Sequence, residues 1–143
     1  MHRFSRSAAP LMIAIGTLAG CAGAASGGGS PPPAQVERTG PHGALSVVLT
    51  PLGAQRAGIQ TAAAVPAGGG RTMIPYSALL YQSDGSSVVY TVTGRLIYTL
   101  APVSVASIQG SQVYLTGLPP GTSVVTTGGE ELLGVQDGVG VQT

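Results

Sequence analysis

The chain has 143 residues, of which 43% are apolar and 8% charged, and its 23 Gly and 11 Pro make up about a quarter of it. Such a length holds one small domain once a tail is set aside, and six Arg, no Lys and five acids leave no basic face for a nucleic-acid backbone. Positive mean hydropathy excludes charge-driven disorder, and no apolar run reaches the roughly 18 residues of a spanning helix.

The start has the make-up of a secretion signal. Arg3 and Arg6 form a basic n-region, and an apolar stretch follows over residues 8–19. It ends in Leu18-Ala19-Gly20-Cys21, and Cys21 is the only Cys in the chain. This tetrapeptide is similar to the lipobox of bacterial lipoproteins. The resemblance implies cleavage after residue 20 and a diacylglycerol thioether on Cys21. Two or more acyl chains on one Cys suffice for stable bilayer anchoring. The competing readings are a plain signal peptide, or a short core segment with an incidental Cys. Cleavage removes Arg3 and Arg6, which leaves four Arg against five acids.

Residues 21–43 read as a tether. Gly/Ser over 22–30 is flexible, and Pro31-Pro32-Pro33 stiffens it locally. Without a Lys, the Gly run is no phosphate loop.

Residues 44–143 read as short strands and tight turns. A strand is expected over 45–49. A helix start follows, with Thr50 as N-cap and Pro51 at N1, and Gly58 ends the helix. Strands are expected over 59–65 and 71–74, separated by Gly68-Gly69-Gly70. Asp84-Gly85 marks a hairpin. Val88, Tyr90 and Val92 alternate with Val89, Thr91 and Thr93, Gly94 turns the chain, and Leu96, Tyr98 and Leu100 alternate with Ile97 and Thr99. Further strands are expected over 102–108, 112–115 and 122–126. A helical turn over 128–133 and a terminal strand through Val139 and Val141 complete the list. Strands every 8–12 residues predict an all-β fold, a small antiparallel barrel or sandwich of about 7–9 short strands with one or two short helical turns. The expected organisation is a signal peptide at 1–20, a lipidated tether at 21–43 and a β-domain at 44–143.

Several segments carry a family resemblance. They are Ile74-Pro75-Tyr76-Ser77-Ala78-Leu79, Asp84-Gly85 with Val89-Tyr90, Pro102-Val103-Ser104-Val105, and Gly117-Leu118-Pro119-Pro120-Gly121 leading to Val124-Val125 and Gly128-Gly129. In this order they resemble the membrane-proximal domain of periplasmic adaptor subunits (membrane fusion proteins) of RND-type efflux pumps. Leu49-Thr50-Pro51 through Ala57-Gly58-Ile59-Gln60-Thr61 is similar to the start of mature heavy-metal-type adaptors. The barrel, lipoyl and hairpin domains of that family have no counterpart here; residues 65–70 stand where they would be inserted. The resemblance implies docking on an inner-membrane transporter, without turnover.

The side chains themselves offer little for chemistry. His42 lies between Pro and Gly as a solvated spectator. Asp84 belongs to a turn. Ser77 is a lone hydroxyl, and residues 44–143 contain no His to complete a nucleophilic triad. Glu130 and Glu131 suit a helix N-terminus. Met73 is a single thioether, so no metal site and no cofactor are expected. Tyr90 and Tyr98 are expected to face each other across the Gly94 hairpin. Tyr76, Tyr81 and Tyr114 are the candidate partner contacts, since Tyr is favoured at interfaces.

The expectation is therefore a non-enzymatic lipoprotein on the outer face of the cytoplasmic membrane. Its partners would be the bilayer, through Cys21, and an RND- or ABC-type transporter, with no nucleic acid. The alternative is an envelope lipoprotein that binds a cell-wall polymer or small ligand.

Overall fold

A computed structural model describes residues 32–138. The first strand lies where composition signals none. β1 (Ala34–Arg38) runs antiparallel to β2 (Leu45–Leu49), with Ala34 opposite Leu49 and Arg38 opposite Leu45. Four of its five residues are exposed, so pairing with β2, not burial, makes it a strand. Strand pairing is thus already present inside the segment assigned to the tether. A 3-10 turn, Pro41–Gly43, joins the two strands, and His42 adopts left-handed backbone within it (φ 58°), a conformation His tolerates better than most residues.

Helix α1 (Pro51–Ala57) forms as its local signals require. The Thr50 hydroxyl accepts from the Gly53 N–H at 3.0 Å, Pro51 opens the first turn, and Gly58 closes it in left-handed backbone (φ 61°). The strand expected over 59–65 is instead two, β3 (Gln60–Ala63) and β4 (Val65–Gly68). The chain leaves one sheet for the other at buried Ala64, held by N–H and C=O bonds of 2.8 Å to Thr122 and Gly121.

Next come β5 (Arg71–Pro75), a 3-10 turn (Tyr76–Ala78), β6 (Leu80–Tyr81), β7 (Ser87–Gly94) and β8 (Ile97–Pro102). The last elements are β9 (Ser104–Gln109), β10 (Gln112–Thr116), β11 (Ser123–Thr127) and α2 (Gly129–Gln136). α2 spans eight residues, longer than the turn expected there, and the terminal strand through Val139 and Val141 falls outside the described residues.

The described strands form two antiparallel sheets. The larger has the order β1-β2-β8-β7-β11-β3, with β6 beside β7; the smaller has the order β4-β5-β10-β9. The sheets stay open, so the sandwich and not the barrel describes the fold, with eleven strands where seven to nine were expected. Two cores follow from strand alternation. Between the sheets lie Ile74, Leu79, Val89, Val113, Leu115 and Val124. The other face of the larger sheet sends Val47, Leu49, Val88, Tyr90 and Tyr98 against Leu132 of α2 and the half-buried Ala54 of α1. The result is three layers: helices, large sheet, small sheet. Val, Ile and Leu supply most of the packing; Tyr90 and Tyr98 are the buried aromatics.

The β7–β8 hairpin corrects two expectations. Gly94 ends β7, and the turn is Arg95-Leu96, with Leu96 in left-handed backbone (φ 60°). Its partly buried side chain packs into the helix-side core, which offsets the roughly 1–2 kcal/mol that this backbone costs a non-Gly residue. Tyr98 pairs directly with Val92, and Tyr90 with Leu100. The register shift between Val92 and Gly94 places the two tyrosines diagonally on one face.

Candidate functional site

The residues singled out by sequence divide into three groups. Leu18, Ala19, Gly20 and Cys21 lie outside the described residues. Tyr90 and Tyr98 belong to the core. Tyr76, Tyr81 and Tyr114 reach the surface.

Tyr76 and Tyr81 are 46% and 50% exposed and flank the crossover from the small sheet to the large one. Pro75 ends β5 and sends the chain into the 3-10 turn, where the Tyr76 N–H donates to the Ser111 carbonyl at 2.8 Å. Ala78 and Leu79 turn inward as core, so the turn is anchored while Tyr76 stays outside. Tyr81 pairs with Ser87 at the start of β7. Tyr114 lies on β10 between buried Val113 and Leu115, which places it on the outer face of the small sheet. Its cross-strand neighbours there are Met73 on β5 and Ser107 on β9, and Val65 on β4 continues the row opposite Met73. Val65 is 46% exposed. The outer face of the small sheet therefore carries a row of apolar and aromatic side chains, with Tyr76 just past the end of β5.

The β6–β7 turn beside Tyr81 is locked by its own polar groups. Hydrogen bonding from Ser86 holds the Asp84 carboxyl below its usual range. The N–H is the settled partner, 2.8 Å from Oδ1, because the hydroxyl itself donates to Gln82 Oε1 at 3.0 Å. Asp84 is thus a turn residue, with Gly85 in left-handed backbone after it (φ 84°).

A concave region lies on the inner face of the large sheet. Ser46, Thr99 and Thr91 form one cross-strand row over β2, β8 and β7. The Thr99 hydroxyl meets Ser46 Oγ at 2.7 Å and Thr93 Oγ1 at 2.8 Å, and Thr91 Oγ1 donates to the Thr99 carbonyl at 3.2 Å. Thr91, Thr93 and Thr99, with Pro41, Pro102 and Pro119, line a groove of about 340 Å³. Sequence reading missed this array, because a hydroxyl row exists only once β2, β8 and β7 are in register.

On the helix side, the Tyr90 hydroxyl donates to Gln136 Oε1 at 2.9 Å and ties the sheet to the end of α2. Burial, and then the nearby Asp137 carboxylate, push the Tyr90 phenol well above its ordinary range. Burial also raises Tyr98. Glu130 and Glu131 are exposed in the first turn of α2, where the helix dipole favours them. Exposed His42 and half-buried Met73 stand in separate places. Among the described residues no three His, Cys, Asp or Glu side chains gather as a metal site. No helix among them is long and apolar enough to cross a membrane. No family model, no curated protein and no solved structure matches this chain.

Proposed function

We propose that the chain is a lipid-anchored docking module, held at the outer face of the cytoplasmic membrane through Cys21 and resting its β-domain on an RND- or ABC-type transporter. One observation carries the docking part of this reading. Tyr76 and Tyr81 are half exposed at one crossover, and Tyr76 stands just past the end of β5, whose Met73 belongs to the outward row Val65–Met73–Tyr114. Aromatic side chains and Met are enriched in interface cores, where Tyr adds large contact area at small entropy cost. Tyr76 follows a Pro and is fixed by a backbone bond, so little order is lost when it is covered. The anchor rests on Leu18-Ala19-Gly20-Cys21 and the Gly/Ser/Pro run after it. The transporter class rests on the adaptor-like segments alone.

The test is co-purification of the full chain from membranes in mild detergent. An RND- or ABC-type transporter is expected with the wild-type chain, with its recovery reduced at least several-fold by Tyr76→Ser/Tyr81→Ser. Repeated recovery of no integral-membrane protein overturns the reading.

A further inference from the structure

The groove of about 340 Å³ on the inner face of the large sheet has a specific hydrogen-bonding inventory. Ser46, Thr99 and Thr93 form a chain of three hydroxyls joined by two bonds. Each hydroxyl donates once, so one O–H is left over, on Ser46, Thr99 or Thr93. Ser46 is fully buried and Thr99 is 4% exposed, so a spare donor on either would cost about 1–3 kcal/mol. Thr93 is exposed. The chain therefore runs Ser46 to Thr99 to Thr93, and the spare O–H stands at Thr93, in the groove. Thr91 and Thr122 also line it. Their hydroxyls already donate, to the carbonyls of Thr99 and Pro119, and keep only lone pairs for a ligand. Three prolines add flat apolar wall, and no charged side chain lines the groove.

A ligand for this surface must be uncharged, must offer both donors and acceptors, and must have apolar faces between them. We propose that the groove binds a neutral saccharide, taking a sugar oxygen on the Thr93 O–H and sugar hydroxyls on Thr91 Oγ1 and Thr122 Oγ1. An ion would find no counter-charge there, and a purely apolar ligand would leave the hydroxyl groups it covers without partners. This inference does not depend on transporter docking, since it uses a different face of the domain.

Titration of the full chain with maltotriose and triacetylchitotriose, followed by NMR shift changes, tests it. At least one is expected to bind with Kd of about 0.1–5 mM, a range suited to a few hydrogen bonds on a shallow surface. Thr93→Val should weaken that binding about 5–10-fold, as the loss of one hydrogen bond does, and Thr93→Ser should restore it. Trigalacturonate, which carries a carboxylate on each ring, should bind at least as weakly as the Thr93→Val protein binds its neutral ligand. Thr93→Val takes the acceptor from the buried Thr99 O–H and should cost about 1–3 kcal/mol, so a melting curve checks that the titrated variant is folded, whereas Thr93→Ser keeps that acceptor. The inference falls if neither neutral trisaccharide binds in that range, if Thr93→Val binds as wild type does, or if trigalacturonate binds as tightly as the neutral probes.

Discussion

Thr99→Val is the sharpest probe of how the large sheet is held. The change is close to isosteric and keeps the β-branched shape that suits a strand. It removes the one hydroxyl that partners both Ser46 Oγ (2.7 Å) and Thr93 Oγ1 (2.8 Å). The consequences for the two partners differ. Thr93 is exposed and exchanges its lost bond for water. Ser46 is fully buried and does not. The cost is therefore dominated by the stranded Ser46 hydroxyl, about 1–3 kcal/mol. The bond from Thr91 ends on the Thr99 carbonyl and survives the change. In Ser46→Ala, Thr99 keeps Thr93 as partner, so about 0.5–1.5 kcal/mol is lost. The double variant strands nothing. It should be more stable than the sum of the two single losses implies, by about 1 kcal/mol. Urea unfolding of the wild type, both single variants and the double variant measures all four corners. Additive losses, or a Thr99→Val loss under about 0.5 kcal/mol, would refute the reasoning, because a buried hydroxyl cannot lose its partner without cost.

Three further outcomes are expected. Gly128 precedes α2 with φ 85°, and a Cβ there would meet Ile59 Cδ1 at 2.6 Å and the Ala57 carbonyl at 2.8 Å. Gly128→Ala should thus cost more than about 2 kcal/mol in chemical denaturation, from left-handed backbone and overlap together. Tyr90 and Tyr98 both have folded-state pKa values raised by burial. Their contribution is complete below the unfolded value near 10 and is lost as pH rises above it, so melting temperature should fall from about pH 10 upward. Tyr90→Phe, which cannot ionise, should flatten that fall. Cys21→Ser should move the protein from the membrane to the soluble fraction on fractionation; continued tight membrane association would remove the lipid anchor from the account.

Local signals in the sequence were legible where the structure is local. Thr50, Pro51 and Gly58 bound α1 because cap and turn geometry involve residues three or four apart. Asp84-Gly85 marks its turn for the same reason. β1 was not legible. Ala-Gln-Val-Glu-Arg is polar, and its partner lies across the 3-10 turn at Pro41–Gly43. Leu96 occupies a left-handed position where sequence favours the nearby Gly94, because its side chain has a core to enter. The five tyrosines look alike in sequence. Only the register of β7 against β8, and the crossover after β5, separates buried Tyr90 and Tyr98 from exposed Tyr76 and Tyr81. The Ser46–Thr99–Thr93 chain depends wholly on pairing between β2, β8 and β7, and strand alternation alone does not reveal it.

Docking on a membrane transporter is the central claim, and site-specific photocrosslinking in the producing cells tests it most directly. A photoreactive phenylalanine analogue replaces Tyr76, Tyr81 or Tyr114 in turn. The control position is Arg95, in the turn at the far end of β7 from Tyr81. The account predicts adducts with one integral-membrane transporter from the tyrosine positions and none from Arg95. Adducts that include no integral-membrane protein, or equal yields from Arg95, would contradict it.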